Sequence, residues 1–532
     1  MDKAELRRLI RIEDRIHHIA EDELGLTFNP IEFDIVPPQK MLEIMAYNIP
    51  TNISNWKKGR DYERERTVYD YSHRGLPYEV VIHSNPARAY LMNDNVFAVQ
   101  CLVMAHVYGH CAFFTNNRFF QKSREDIVSV MYEAAQRFNK YEKRFGIDEV
   151  EKTVDAAHAL QLHSNPFDSE ETEQEKRLIV FEQEKKKLFG GRDGKFDDVS
   201  GNQPDPLQED VELIYQNLWK ELSLKTPVQP TSDILRYVID NSVSLQDWQK
   251  DILEVLRIEG QYYWPIIKTK FMNEGFAVRV HEKIMNRLFE ENKLSTREHA
   301  DYNYANSLVK AKNPFKLNPY SVGAGVWEDV EDRWDKGQYG VEWEQCENAK
   351  QKEEWDTETG EGWEKVLETI ETHTDWFLMH DFLLPDTIKR IGLYVYKPED
   401  KSTHIDYVIT KDEAKEIRQK IINAFAQNMI PDITITDGNW EEKGWLGLHH
   451  NWTGINLEEI YLKKTMQHVA YLWGRSVVLD TKMDTEKTSV HYKMTPAGEE
   501  GTTTHNEGIA SSFGLWGDPP SPLKQTYMAP WW

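Results

Sequence analysis

Apolar side chains recur at helical spacing through residues 4–24, at Leu6, Leu9, Ile10, Ile16 and Ile19, which predicts a helix with one buried face. Asn29-Pro30 ends it. Ile31, Phe33 and Ile35 alternate with acidic residues and predict a strand, stopped by Pro37-Pro38. A second strand is expected over Tyr78 to Ile82, with Ser84-Asn85-Pro86 opening the next helix. From Ala87 through Phe120 the chain is mostly apolar and reads as two core helices meeting near Asn93-Asp94-Asn95.

Glu170 to Lys187 carries Glu–Lys pairs that suit an exposed helix. Gly190-Gly191-Arg192-Asp193-Gly194 and Pro204-Asp205-Pro206 then mark a surface excursion. Helical periodicity returns from about Asp233 to Asn292. Residues 337–362 are acidic, Gly-containing and poor in aliphatics, as in a linker. Beyond them strands are expected at Gly392 to Tyr396, Ile405 to Ile409, Ile433 to Thr436 and Gly444 to His449. Helices are expected at Glu413 to Gln427 and Leu457 to Trp473. The fold class is therefore α+β: a mainly helical N-terminal domain with a small strand region, and a smaller α+β domain after it. The expected boundaries are 1–336 with a charged insert at about 166–210, a linker at 337–372, the second domain at 373–490, and a disordered tail at 491–532.

Composition narrows the function. The 64 Lys and Arg against 89 Asp and Glu give a net charge of −25, which argues against a nucleic-acid backbone as ligand. The reading places no membrane span and no secretory leader at Met1-Asp2-Lys3-Ala4-Glu5, and expects a cytoplasmic chain. Cys101, Cys111 and Cys346 are too few for a disulfide framework and read as reduced residues.

The most informative segment is Met104-Ala105-His106-Val107-Tyr108-Gly109-His110. On a helix, His106 and His110 lie one turn apart on one face, so two imidazoles can reach one metal ion, as in the H-E-x-x-H helix of zinc peptidases. Val107 stands where that motif has its glutamate base. In one class of zinc peptidases the third ligand is a glutamate in an N-E-x-x-A context on a separate helix. Asn273, Glu274 and Ala277 fit that pattern, with the alanine leaving room for close helix packing. These features predict a zincin-like site with zinc on His106, His110 and Glu274. His281 falls two turns, roughly 10 Å, beyond Glu274 and reads as a supporting or substrate-facing group. Glu79, a carboxylate in an apolar strand, is the expected general base, and Tyr108 an expected oxyanion stabiliser. Asp155 and His158 form a further polar pair. No phosphate-binding loop, dinucleotide fingerprint or nucleophile elbow is present.

At these residues the chain resembles the stage V sporulation protein R (SpoVR-like) family. The matching segments include Glu13-Asp14-Arg15-Ile16-His17, Asn85-Pro86, Ala105-His106-Val107-Tyr108-Gly109-His110, Asp247-Trp248-Gln249, Met272-Asn273-Glu274-Gly275, Leu317-Asn318-Pro319-Tyr320, Ile430-Pro431-Asp432-Ile433 and Leu472-Trp473-Gly474-Arg475, spread over about 1–480. It departs from the family pattern at Asn55-Trp56, where a histidine is expected before the tryptophan. The resemblance implies a bacterial-type protein whose founding members are needed for spore cortex formation, and whose relatives are often encoded beside a PrkA-type serine protein kinase. Two functions follow as expectations. One is a metal-dependent hydrolase of amide or peptide-like bonds, with a peptidoglycan-derived substrate. The other is a non-enzymatic adaptor of such a kinase.

Overall fold

The computed structural model describes residues 3–47, 56–72, 79–167, 171–188, 206–312, 317–393, 411–427, 430–483 and 485–506. The chain divides into two units, each combining helices with one small sheet. The first takes residues 1–144 and 262–429, and the second takes 145–261 and the C-terminal stretch from Ile430. The second unit thus interrupts the first, a division that does not follow the one expected from composition.

In the first unit, helix α1 (Lys3–His18) buries Leu9, Ile12 and Ile16. The sheet orders its strands β1 (Ile31–Val36), β3 (Ala87–Met92) and β2 (Glu79–Ile82), with β1 parallel and β2 antiparallel to β3. Strand β3 corrects the sequence reading. Ala87, Ala89 and Leu91 are buried while Arg88, Tyr90 and Met92 are less so, a period of two. A strand, not a helix, therefore follows Ser84-Asn85-Pro86, and only the second half of the apolar run is helical. That half is α2 (Phe97–Asn116), whose residues from Phe97 to Phe114 are all buried. It is long and apolar enough to cross a membrane, with a mean hydropathy of 1.4, more than the sequence reading allowed. Here it is the central core helix, buried on every side.

Helices α3 (Lys270–Glu290) and α4 (Thr296–Val309) pack on it, and α5 (Pro319–Asp335) packs on α3. A β-carbon built on Gly109 of α2 would lie 2.7 Å from the α-carbon of Ala277 on α3. One built on Gly275 would lie 2.2 Å from the backbone of Gly323 on α5. Glycine at these positions lets the backbones touch. Gly323-Ala324-Gly325 is accordingly helical. Asp375 is buried and accepts from the backbone N–H groups of Phe271 (3.0 Å) and Met272 (2.8 Å), capping the first turn of α3. Helix α6 (Gly362–Thr372) puts Val366 and Ile370 into the core, so the end of the expected linker is structural.

The second unit holds the exposed helix Glu173–Leu188 and a five-stranded sheet, β4 (Ile433–Trp440), β5 (Trp445–His450), β6 (Val477–Met483), β7 (Thr485–Thr495) and β8 (Gly498–Asn506), in that order. Only β5 and β6 are parallel, and the helix Glu459–Trp473 makes the crossover such a pair requires. The expected tail therefore begins too early, because residues to Asn506 are strand. The strands expected at Gly392 to Tyr396 and Ile405 to Ile409 fall almost wholly outside the described residues, as does Asn55.

Candidate metal centre

The H-x-x-x-H spacing puts both imidazoles on one side of α2, with ring centroids 4.5 Å apart. Both are buried. Glu274 comes from the second turn of α3, which the Gly109–Ala277 contact holds against α2. Its Oε2 lies 3.7 Å from His106 Nε2 and 3.6 Å from His110 Nε2. Glu79, at the start of β2, completes the group, since one ligand atom each from Glu79, His106 and His110 lies within 4.8 Å of the others.

The hydrogen bonding around this cluster is asymmetric. His110 Nδ1 sits 2.9 Å from Asn273 Oδ1. An amide oxygen only accepts, so His110 donates from Nδ1 and a neutral ring leaves Nε2 bare towards Glu274. His106 Nδ1 sits 3.0 Å from His281 Nδ1. On the inner side, His106 Nε2 and Glu274 Oε2 are both buried without a hydrogen-bond partner. Buried acceptors facing one another without a proton are costly. A divalent cation removes that cost. Four ligands at about 2.0–2.1 Å in a tetrahedron lie about 3.4 Å from each other, close to the 3.6 and 3.7 Å observed. Two imidazoles and carboxylate oxygen are donors that suit zinc, so the residues present fit the ion.

The electrostatics point the same way. Burial and the neighbouring His106 hold the His110 imidazole down to about 4. Burial would raise Glu274, but the two histidines outweigh it and bring the carboxylate to about 2. Burial pushes Glu79 up to about 7, with His106 pulling against it and Glu274 adding to the rise. One carboxylate is thus held ionised while the other exchanges a proton near neutrality.

Two expected residues lie elsewhere. Tyr108 is half a turn from the histidines and faces away, donating to Glu13 Oε1 at 2.5 Å and packing on His17 and Phe28. It belongs to the contact between α1 and α2 and stabilises no oxyanion at this cluster. His281 is fully buried behind His106, so it supports that ring and does not face a substrate. Asp155 and His158 lie in the second unit, where His158 Nε2 is 3.8 Å from Glu259 Oε2.

Sequence reasoning missed Tyr320. Burial and the charges of Glu274 and Glu79 hold its hydroxyl well above the usual phenol range. Its ring lies 6.0 Å from that of His106. Asn273 was legible only as part of the N-E context, and nothing local marked Asn306, which contacts His281 from α4.

Comparison with known proteins fixes the kinship of this arrangement. The profile described as SpoVR like protein matches residues 3–430, and the one described as SpoVR-like C-terminal domain matches 431–484. The chain belongs to the SpoVR-like family. It is 26% identical over 477 residues to a protein of Escherichia coli (strain K12) named "Uncharacterized protein YcgB", covering 85% of this chain and 87% of that one. No solved structure matches. The first profile spans the whole candidate centre and ends where the second unit resumes at Ile430.

Proposed function

We propose that this SpoVR-like chain is a metal-dependent hydrolase of amide or peptide-like bonds, with a divalent cation, zinc by its donor set, held by His106, His110 and Glu274 in a zincin-like manner. The observation that carries this reading is the convergence of His106 Nε2 and His110 Nε2 on Glu274 Oε2, at 3.7 and 3.6 Å, with His106 Nε2 and Glu274 Oε2 buried without a hydrogen-bond partner. Zinc bound there would supply a Lewis acid for the scissile carbonyl and make water more acidic.

The chain's own residues supply the rest. Glu79, poised near 7, accepts the proton of the attacking water and passes it to the leaving nitrogen. Tyr320 remains a neutral phenol close to Glu274. The surrounding buried helices exclude bulk water, which strengthens each of these charges. The substrate class, an amide in a peptidoglycan-derived fragment, comes from the resemblance to members needed for the spore cortex.

Elemental analysis of protein purified without a metal-affinity column tests the reading. About one zinc per chain is expected, lost in His110→Ala. Glu79→Gln is expected to keep the metal and lose amide hydrolysis. Zinc retained in full by His110→Ala would remove that residue from the site, and a metal-free wild type would leave the kinase adaptor as the better reading.

A further inference from the structure

We infer that Asn306 determines which nitrogen of His106 is free to bind a metal, acting through His281. The inference rests on the metal reading above and adds to it a positioning residue on a different helix.

The direction of each hydrogen bond is set from the far end. Glu282 Oε1 accepts from Lys310 Nζ at 2.8 Å and from Asn306 Nδ2 at 3.0 Å, while Arg279 Nη1 occupies Oε2 at 2.9 Å. A carboxylate bound by two cations is an acceptor only. The NH2 of Asn306 must therefore face Glu282, which turns Asn306 Oδ1 towards His281 Nε2 at 3.0 Å. An amide oxygen cannot donate, so the proton of His281 resides on Nε2.

The consequence reaches the centre in one more step. His281 is fully buried, and its two ring nitrogens contact Asn306 and His106, neither of them a carboxylate. A buried imidazolium without a counter-ion is disfavoured, so the ring is neutral and its Nδ1 is bare. His106 Nδ1, 3.0 Å away, must then be the donor. That leaves His106 Nε2 as a lone pair aimed at Glu274, in the form a metal requires. The run Lys310, Glu282, Asn306, His281, His106 has a single sense throughout. Without the Asn306 oxygen, the bond between the two histidines can reverse, and His106 Nε2 then carries the proton that blocks ligation.

Two measurements test this. In zinc competition against a chromophoric chelator, Asn306→Leu is expected to bind about 10–100-fold more weakly than wild type, the usual scale for losing a group that orients a metal-bound histidine. Asn306→Asp gives His281 the counter-ion it lacks and sets a second carboxylate against Glu282, so it favours a charged His281 that donates from Nδ1 and leaves the proton on His106 Nε2, and it is expected to bind zinc more weakly than wild type. In metal-free protein labelled with 15N-histidine, the His106 Nε2 signal, assigned by its loss in His106→Gln, should lie at the position of an unprotonated nitrogen. It should move towards the protonated position in Asn306→Leu. A protonated His106 Nε2 in the wild type overturns the proposal whether or not any variant folds. So does wild-type zinc affinity in a folded Asn306→Leu. Failure of the wild type to bind zinc would overturn the metal reading alone, because the nitrogen shift is read without metal.

Discussion

Gly109 of α2 and Ala277 of α3 meet backbone to backbone, and the residues flanking that contact are the ones whose side chains converge: His106 and His110 on one helix, Glu274 on the other. Gly109→Ala sets two effects against each other. Alanine improves helix propensity by about 1 kcal/mol. Its β-carbon, however, would stand 2.7 Å from a backbone atom that cannot swing aside, and overpacking of this kind costs about 1–3 kcal/mol. The clash should win. The variant is expected to unfold at lower urea and to bind zinc more weakly, because any separation of the helices moves Glu274 from the imidazoles. Wild-type stability and zinc affinity in Gly109→Ala would mean that the contact does not set the spacing.

Tyr320→Phe separates orientation from packing. The phenyl ring fills the same space, and the hydroxyl close to Glu274 is lost. Losing one polar contact of this kind costs about 1 kcal/mol of stability, whereas losing a group that orients a metal-bound carboxylate costs about tenfold in affinity. Zinc competition should therefore register the change more clearly than thermal unfolding. Equal zinc affinity in the two proteins would place the hydroxyl outside the site's support.

What could be read from the chain was what local spacing encodes. The helical phase of His106 and His110 and the small residue at Ala277 are local, and both were legible. Strand β3 was not, because Ala87, Ala89 and Leu91 run without a polar break into the apolar helix α2, which masks their period of two. Tyr320 and Asn306 were invisible for another reason. They reach the cluster from α5 and α4, and their roles exist only once four helices have packed. Tyr108 misled because it is adjacent in sequence to the histidines, yet two residues along a helix is half a turn, enough to put its hydroxyl on Glu13.

Asp375 offers a test of how firmly Glu274 is held. Its carboxylate occupies the backbone N–H groups of Phe271 and Met272, in the turn that precedes Glu274. Asp375→Ala leaves both buried donors without partners, at about 1–3 kcal/mol for each. A loss of roughly 2–6 kcal/mol is expected in urea unfolding, with zinc affinity falling as the first turn of α3 frays. Asp375→Asn keeps one accepting oxygen and should lose about half as much. Equal losses for the two variants would show that charge, not the number of acceptors, is what the helix start requires.

His83 predicts how the first unit responds to acid. The ring is buried against Phe114 and Phe120, with centroids 5.2 and 5.5 Å away, and burial holds it down to about 4, with Glu125 pulling weakly the other way. In the unfolded chain a histidine titrates near 6.5. Between those values the unfolded state binds a proton that the native state does not, so the stability that His83 contributes is full above about pH 6.5 and is lost as the pH drops towards 4. A difference of about 2.5 pH units corresponds to a loss on the order of 3 kcal/mol. His110 and His281 are lowered as well, and they add to the same slope. His83→Leu keeps an apolar group against the two phenyl rings and removes one of these protons. The fall in urea midpoint between pH 7 and pH 4.5 should accordingly be smaller in His83→Leu than in wild type. An identical fall in the two proteins would mean that His83 accepts its proton without leaving the native state.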